Sequence, residues 1–299
     1  MASKISVVIN TLNEESNIER VIKSVSWADE ILICDMYSDD KTVEISKKMG
    51  ARVIYHKRVS YVEPARNFAV SKSSNEWILV LDPDEEVTES LKVRLLEVSS
   101  KMKQIDYVRI PRKNLIFGRW MKASMWWPDL NIRFFKKGTV EWSNKIHRPP
   151  KTAGEGIDLE SDEKWAIVHY HYASLTEYIE RMIRYTKIQA EELEQEGYHF
   201  DWKDLIQKPL GEFLGRFFAN RGFEDGLHGF VLSLLQAFSH LLIYLRLWEK
   251  EGFKSIDINL TELKDVRKKS GSEIDYWFKY GTLSKNPFKR FFQKVKNRI

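Results

Sequence analysis

An α/β fold, built on a mainly parallel sheet and followed by a helical C-terminal region, is predicted by three observations. Short apolar runs alternate with helical stretches four times before residue 90. Polar or acidic clusters stand at the ends of those runs. From Ser174 onward, apolar residues recur at helical spacing. Strands that alternate with short helices call for parallel pairing through right-handed crossovers.

Residues 5–9, ISVVI, form the first predicted strand. A short apolar run stopped by polar residues reads as a strand buried on both faces. Asn10-Thr11-Leu12-Asn13-Glu14-Glu15 follows, and Ile18, Val21, Ile22 and Val25 then mark an amphipathic helix. Residues 30–34, EILIC, form a second strand that leads into Asp35, Ser38 and Asp39. A helix runs from there to about Gly50, a residue suited to a C-terminal cap. Residues 52–55 are a third strand and 64–72 another helix. The fourth strand lies in 76–87, EWILVLDPDEEV, where the apolar run 77–81 gives way to Asp82, Asp84, Glu85 and Glu86. No glycine-rich turn follows the first strand, so neither a dinucleotide fingerprint nor a P-loop is present.

Beyond a helix near 91–103 the pattern changes to strand pieces at 107–111, 130–135 and 140–142. They are separated by an irregular aromatic segment at 117–129, too long for a tight hairpin. Residues 150–164 read as an exposed loop, rich in Gly and acid. Ser174 and Glu177 have capping-box spacing, and Leu175, Tyr178, Ile179, Met182 and Ile183 share one helix face before Gly197. Another helix is expected over 209–220. Residues 230–248 are mostly apolar but carry Gln236, His240 and Arg246, which favours a buried or interfacial helix over a membrane span. The expected divisions are 1–172, the α/β domain, 173–284, a helical region, and 285–299, a basic tail.

Hydrophobic and charged contents of 43% and 30% describe a globular chain. The single cysteine, Cys34, excludes an intrachain disulfide framework and suits a reducing cytosol. The N-terminus shows no apolar signal segment. Of the net charge of +5, six cations fall within 285–299, which leaves the remaining 284 residues at a formal −1. The basic balance therefore belongs to the tail, and a nucleic-acid surface is not expected.

Carboxylates just past the carboxyl end of a buried strand lie where open α/β sheets bind ligands. Two aspartates one residue apart, such as Asp82 and Asp84, can share a hard divalent cation that also holds phosphate oxygens. An isolated pair of this kind reads equally as a polar loop of solvated acids.

The clusters taken together resemble the family 2 glycosyltransferases, which use the GT-A fold. The matching text is I-x-V-V-I-x-T-x-N-E-E, D-x-x-S-x-D-x-T, A-R-N-x-A and W-I-L-x-L-D-P-D-E. Later strings extend the match over roughly 3–250: W-P-D-L-x-I-R-x-F-x-x-G at 127–138, a histidine at 147, His169 with Tyr170 and Tyr172, and G-F-x-D-G-x-x-G at 222–229. This later set resembles the branch containing lipopolysaccharide-core β-glucosyltransferases. The chain departs from that branch at His147-Arg148, where relatives often carry His-Glu.

The resemblance implies a role for each matching residue. Thr11, Asn13, Glu14, Glu15 and Ser38 would line the nucleotide, and Asp35 would accept the imide N–H of a uracil base. Arg66 would approach the diphosphate, Asp82 the ribose and metal region, and Asp84 the Mg²⁺ or Mn²⁺ that bridges the diphosphate. His169 is a further candidate metal ligand. Asp129 is the candidate base of an inverting transfer, with Glu85 and Glu141 as substitutes.

The tail has its own chemistry. Phe288, Phe291, Phe292 and Val295 recur on one helical face among Lys289, Arg290, Lys294, Lys296 and Arg298. A basic amphipathic helix with aromatics reads as a membrane-surface binder. The expectation is a cytoplasmic enzyme peripheral on the inner face of the membrane. It takes a hexose, glucose from UDP-glucose, onto a saccharide of a lipid-linked glycan. The competing readings are transfer onto a polyprenyl phosphate and a non-catalytic glycan- or membrane-binding protein on a transferase scaffold.

Overall fold

The structure is a computed structural model and describes residues 3–59, 62–143, 149–281, 283 and 287–297. The chain divides into two compact units, one of 1–115 with 127–171 and one of 116–126 with 172–299. The segment 116–126 thus leaves the N-terminal unit in the middle of its sequence.

The first unit contains β1 (Ile5–Thr11), α1 (Ile18–Ser24), β2 (Glu30–Asp35), α2 (Thr42–Lys48), β3 (Arg52–Tyr55), α3 (Glu63–Lys72) and β4 (Trp77–Leu81). It continues through β5 (Glu85–Glu86), α4 (Glu89–Lys101), β6 (Ile105–Ile110) and β7 (Arg112–Ile116). The short strand β8 (Arg119–Trp120) lies in the 116–126 segment of the second unit, and the first unit resumes with β9 (Asn131–Lys136), β10 (Val140–Glu141), β11 (Lys151–Thr152), β12 (Glu155–Asp158) and β13 (Ile167–Tyr172). The main sheet has the order β12-β6-β9-β4-β1-β2-β3. The pairs β3-β2, β2-β1 and β1-β4 are parallel, as is β12-β6, while β9 runs antiparallel to both of its neighbours. The mixed, mainly parallel sheet expected from the alternation is the sheet found.

All seven residues of β1 and all five of β4 are buried, because helices cover both faces of the sheet. Ile5, Val7 and Ile9 face α1 and α4, whose Ile18, Val21, Ile22, Leu91 and Leu95 complete one core. Val8, Ile78 and Val80 face the opposite way, against Ala69 and Val70 of α3. The two-residue period of a strand thus feeds two cores from one apolar run. Trp77 stacks on Phe134 across β4 and β9, with ring centroids 4.5 Å apart.

One expectation for this unit is corrected. Residues 150–164 are not simply a loop, since β12 lies there and pairs with β6 at the sheet edge. Its residues are polar and mostly exposed, so no hydrophobic alternation advertised the strand. Gly156 allows the close approach, because a Cβ there would lie 2.1 Å from the Tyr107 ring.

The second unit contains α5 (Leu175–Gln195), α6 (Asp204–Leu214), α7 (Gly226–Lys250), α8 (Leu260–Gly281) and α9 (Pro287–Asn297). The Ser174 hydroxyl caps α5 by accepting from the Glu177 N–H, and the Glu177 carboxylate takes the Ala173 N–H in return. The buried stripe of α5 is Tyr178, Met182, Thr186 and Ala190, whereas Leu175, Ile179 and Ile183 are exposed, contrary to the expected face. The helix expected over 209–220 begins earlier, at Asp204, with Pro209 inside it, and closes in a π turn at Gly215–Ala219. α8 has no counterpart among the sequence expectations.

The glycine-rich string at 222–229 proves to be packing chemistry within this unit. A Cβ on Gly229 would lie 1.9 Å from the Gly222 carbonyl oxygen, and one on Gly222 would lie 2.3 Å from Ser124 Oγ. Asp225 is buried and accepts the backbone N–H groups of Lys122, at 3.0 Å, and Ala123, at 2.8 Å. It ties the aromatic segment to the helices with the strength of a charged acceptor.

Segment Gly222–Lys250 is long and apolar enough to cross a membrane, and 33% of its most apolar window is buried. Its three mid-helix polar groups are all engaged inside the unit. Gln236 donates to the Tyr178 hydroxyl at 2.8 Å, Arg246 donates to the Ile183 carbonyl at 3.2 Å, and His240 lies 3.5 Å from Glu212.

Candidate active site

The carboxyl ends of β1 and β2 carry the first group of expected residues. Asp35 is fully buried, and its carboxylate accepts from Thr11 Oγ1 at 2.9 Å, from the Ser38 N–H at 2.8 Å and from Ser38 Oγ at 2.5 Å. Ser38 Oγ also accepts the Asn13 N–H, and Asn13 Oδ1 accepts the Asp39 N–H. Asn13 takes a left-handed conformation, φ 59°, which asparagine tolerates better than most residues. The Glu14 N–H donates to Thr42 Oγ1 and the Glu15 N–H to Asp40. The loop 11–15 and the loop 35–42 are therefore laced together, and Thr11, Asn13, Glu14, Glu15, Asp35 and Ser38 all belong to one patch. Tyr37 and Tyr55, both exposed, stack beside it with centroids 5.3 Å apart, an aromatic surface the sequence reading did not single out.

The end of β4 carries the second group. Asp82 Oδ1 accepts from Arg66 at 2.6 Å, and Asp82 Oδ2 accepts from Arg133 at 2.5 Å. The same Arg133 Nη2 reaches Glu85 Oε1 at 2.7 Å, and Glu85 Oε2 accepts the Asp82 N–H. Burial alone pushes the Asp82 carboxyl up, but Arg133 and Arg66 overcome it and hold it well below the ordinary range. Both Asp82 oxygens thus face guanidinium groups. Asp82, expected near the ribose and metal, bridges Arg66 and Arg133 at the end of β4. Glu85 is fully buried among Arg133, Arg112 and a backbone N–H. Glu141 is exposed on β10.

The third group joins β5, β7, β13 and the start of β9. Asp129 follows a cis Trp127-Pro128 peptide and has φ 42°, in the left-handed region. Its Oδ2 accepts from Arg112 Nε at 2.9 Å and Asn114 Nδ2 at 3.0 Å, and its Oδ1 accepts from Asn131 Nδ2 at 3.0 Å. Burial pushes the Asp129 carboxyl up, but the Arg112 charge and the Asn114 and Asn131 amides bring it below the usual carboxylate range. His169 is buried on β13, stacked on His171 with centroids 4.4 Å apart. Its Nδ1 lies 2.6 Å from Asn114 Oδ1, and its Nε2 lies 3.5 Å from Asp84 Oδ2. The Asp84 carbonyl accepts the Tyr170 N–H at 2.9 Å, which extends the β5–β13 pairing past Asp84.

Asp84 and His169 are the pair whose donor chemistry fits a divalent cation. Nε2 and Oδ2 at 3.5 Å are too far apart for a good hydrogen bond and close enough to ligate one ion together. Among the described residues no group of three or more His, Cys, Asp or Glu side chains converges on such a point. A Mg²⁺ ion shared with substrate phosphates commonly takes only one or two protein ligands, so a pair is enough for such a site. His147 and Arg148, where the chain departs from its branch, lie outside the described residues. Arg112 and Asn114 were missed by the sequence reading, and no motif signal marks either.

A family model described as Glycosyl transferase family 2 matches residues 6–153. The chain is 32% identical over 258 residues to an uncharacterised glycosyltransferase of Rickettsia typhi, covering 82% of this chain and 87% of that one. It is 24% identical to the lipopolysaccharide core biosynthesis glycosyltransferase LpsC of Rhizobium meliloti, over 84% of this chain and 94% of the relative. Among solved structures it is similar to glucosyl-3-phosphoglycerate synthase from Mycobacterium tuberculosis in complex with Mn²⁺, UDP and phosphoglyceric acid. That likeness has 25% identity and a TM-score of 0.33, and covers 38% of this chain and 43% of the other. The chain spans less than half the length of that structure.

Proposed function

The chain belongs to glycosyl transferase family 2, and from that premise we propose an inverting, divalent-cation-dependent hexosyltransferase that uses UDP-glucose to extend a saccharide of a lipid-linked glycan such as lipopolysaccharide core. The observation that carries the reading is the meeting of Asp84, His169 and Asp129 around Asn114 at the carboxyl end of the sheet. Asn114 hydrogen-bonds both Asp129 and His169, and Asp84 lies 3.5 Å from the same histidine, which supports a cation-binding pair beside a carboxylate base. The lipopolysaccharide acceptor is supported by the relative named for core biosynthesis.

In this reading Asp35 receives the imide N–H of uracil, and Thr11, Asn13, Glu14, Glu15 and Ser38 shape the pocket around the nucleoside. Arg66, oriented by Asp82, meets a diphosphate oxygen. Asp84 and His169 would hold the cation, which when bound would supply charge stabilisation for the departing nucleoside diphosphate. The acceptor hydroxyl oxygen forms its bond to the anomeric carbon as the bond from that carbon to the diphosphate oxygen breaks. The electron pair leaves with the diphosphate, and the hydroxyl proton passes to Asp129. A carboxylate held as acidic as Asp129 is a weak base toward a resting alcohol. It takes the proton late, once bond formation has made the hydroxyl acidic.

Substitution tests the roles. Asp84→Ala and Asp129→Ala should each lower transfer by about 10²–10⁴-fold in proteins that remain folded. Full transfer to a saccharide by Asp129→Ala would sink the base assignment. Persistent transfer onto polyprenyl phosphate alone would favour that already anionic acceptor. Failure of the parent protein to bind UDP with Mn²⁺ in calorimetry would favour a binding module.

The lipid-linked acceptor is supported by apolar surface on the second unit. Phe291, Phe292 and Val295 of α9 are 63%, 58% and 65% exposed on a helix that also carries Lys289, Arg290, Lys294 and Lys296. Arg298 lies outside the described residues, as does the side chain of Phe288. Leu227, Leu234 and Phe238 of α7 are 72%, 46% and 47% exposed at helical spacing. Each cation near an anionic leaflet contributes about 1 kcal/mol, and salt screens that contribution. The protein should therefore sediment with anionic vesicles at low salt and much less with zwitterionic ones. The double change Phe291→Ser and Phe292→Ser should release it, and unchanged sedimentation would remove α9 from the surface.

A further inference from the structure

Asn114 is fully buried on β7 and touches both halves of the proposed machinery. Its Nδ2 lies 3.0 Å from Asp129 Oδ2 and its Oδ1 lies 2.6 Å from His169 Nδ1. The orientation of the amide follows from chemistry. A carboxylate only accepts, so the amide nitrogen must face Asp129 and the amide oxygen must face His169. An oxygen at 2.6 Å from a ring nitrogen requires a proton on that nitrogen. Nδ1 therefore carries the hydrogen, and in the neutral imidazole the lone pair is left on Nε2, the atom that faces Asp84.

We propose that Asn114 is a positioning residue that sets the His169 tautomer for cation binding and at the same time orients the Asp129 carboxylate. The inference rests on the reading of Asp84 and His169 as the cation site and Asp129 as the base. One amide thus fixes a ligand and a base through its two ends. Ligating histidines are commonly held in this way by an acceptor on the other ring nitrogen, and loss of that partner weakens metal binding by about 10–100-fold. Here the acceptor's own partner is the base, so the orientation of each side depends on the other. Arg112 and Asn131 also hold Asp129, whereas the Asn114 oxygen is the group seen against His169 Nδ1.

The test separates the two ends. Asn114→Asp keeps an acceptor toward His169 and removes the donor toward Asp129, while Asn114→Leu removes both at similar volume. In protein free of metal, long-range ¹H–¹⁵N spectra of the imidazoles should show His169 protonated at Nδ1 in the parent and in Asn114→Asp. Asn114→Leu should show a mixture of tautomers. Mn²⁺ binding in the presence of UDP, followed by electron paramagnetic resonance, should weaken by about 10–100-fold in Asn114→Leu and by less than about threefold in Asn114→Asp. Turnover should fall in both, by about 10²-fold for Asn114→Asp, with the KM for donor little changed. His169 protonated at Nε2 in the parent overturns the proposal. So does equal loss of Mn²⁺ affinity in both variants, or parental turnover in Asn114→Asp. If the parent binds no Mn²⁺, the cation-dependent reading fails, and the tautomer spectra, recorded without metal, still decide the role of Asn114. Asn114→Asp is close to isosteric, so a folding defect confined to Asn114→Leu leaves the decision to the Asp variant and the parent.

Discussion

Replacing Arg133 by Met should cost about 3 kcal/mol of stability. The Arg133 side chain is 5% exposed, and its Nη2 sits 2.5 Å from Asp82 and 2.7 Å from the fully buried Glu85. Breaking a buried ion pair by removing one partner typically costs about 3–5 kcal/mol, because it strands charge away from water. Two features place this site at the lower end. Asp82 keeps Arg66 at 2.6 Å, and Glu85 keeps Arg112 at 3.3 Å. Methionine fills much of the arginine stem's volume, so little cavity is added. At about 2–4 °C per kcal/mol, calorimetry should record a midpoint about 6–12 °C lower. Arg133→Lys should lose nearly as much, since a point charge does not reproduce a guanidinium that spans two carboxylates. The pH dependence gives a second check. Asp82 is more acidic folded than unfolded, so its stabilisation is complete above the ordinary Asp value of about 3.9 and fades as pH falls through the folded value. Removing Arg133 takes away the largest cause of that depression, so parent and variant should converge in acid. A loss under about 1 kcal/mol at neutral pH would refute the reasoning, because it would mean the cluster is screened like a surface pair.

Two further outcomes follow from burial and close approach. The Cys34 thiol is pushed up to about 11 by burial and by the neighbouring Asp35 charge, against an opposing contact from Asn10. At pH 8 about one thiol in a thousand is then ionised, so iodoacetamide should leave folded protein unmodified and label it fully in denaturant. Stoichiometric labelling of the folded protein would contradict the buried setting. Gly229→Ala would bring a methyl group to 1.9 Å from the Gly222 carbonyl oxygen and 3.1 Å from Asp225 Cβ. Backbone must move to admit it, at a cost of about 1–3 kcal/mol, and thermal unfolding should fall by several degrees. An unchanged midpoint would show that the helix start gives way without cost.

Properties set by neighbouring residues are legible in the chain. The run 77–81 announces a strand buried on both faces, and it is one. The acids at 82–86 sit at the carboxyl end of that strand, as chain order alone requires. Their separate jobs were not legible. Asp82 and Asp84 are two residues apart, but the chain turns between β4 and β5, so one meets arginines and the other meets a histidine 85 positions later. Asn114 is an ordinary asparagine until β7, β13 and the residues before β9 come together, 15 positions from Asp129 and 55 from His169. Helix faces were misjudged where small or polar residues make the buried stripe, as Thr186 and Ala190 do in α5. The edge strand β12 escaped because its exposed polar residues carry no apolar signal.

The tie between Asp225 and the N–H groups of Lys122 and Ala123 spans 102–103 residues of chain. A ribosome adding about 5–20 residues per second delivers the acceptor some 5–20 s after the donors. Through that interval Ile116 and Met121, both fully buried in the finished core with Tyr178 and Leu232, have been made without the helices that enclose them. The nascent chain therefore carries an apolar segment in the middle of its otherwise complete N-terminal half. A premature stop before residue 225 would leave it permanently uncovered. Fragments ending near residue 172 should accordingly be recovered in inclusion bodies, even though the sheet and its carboxylates are intact in sequence.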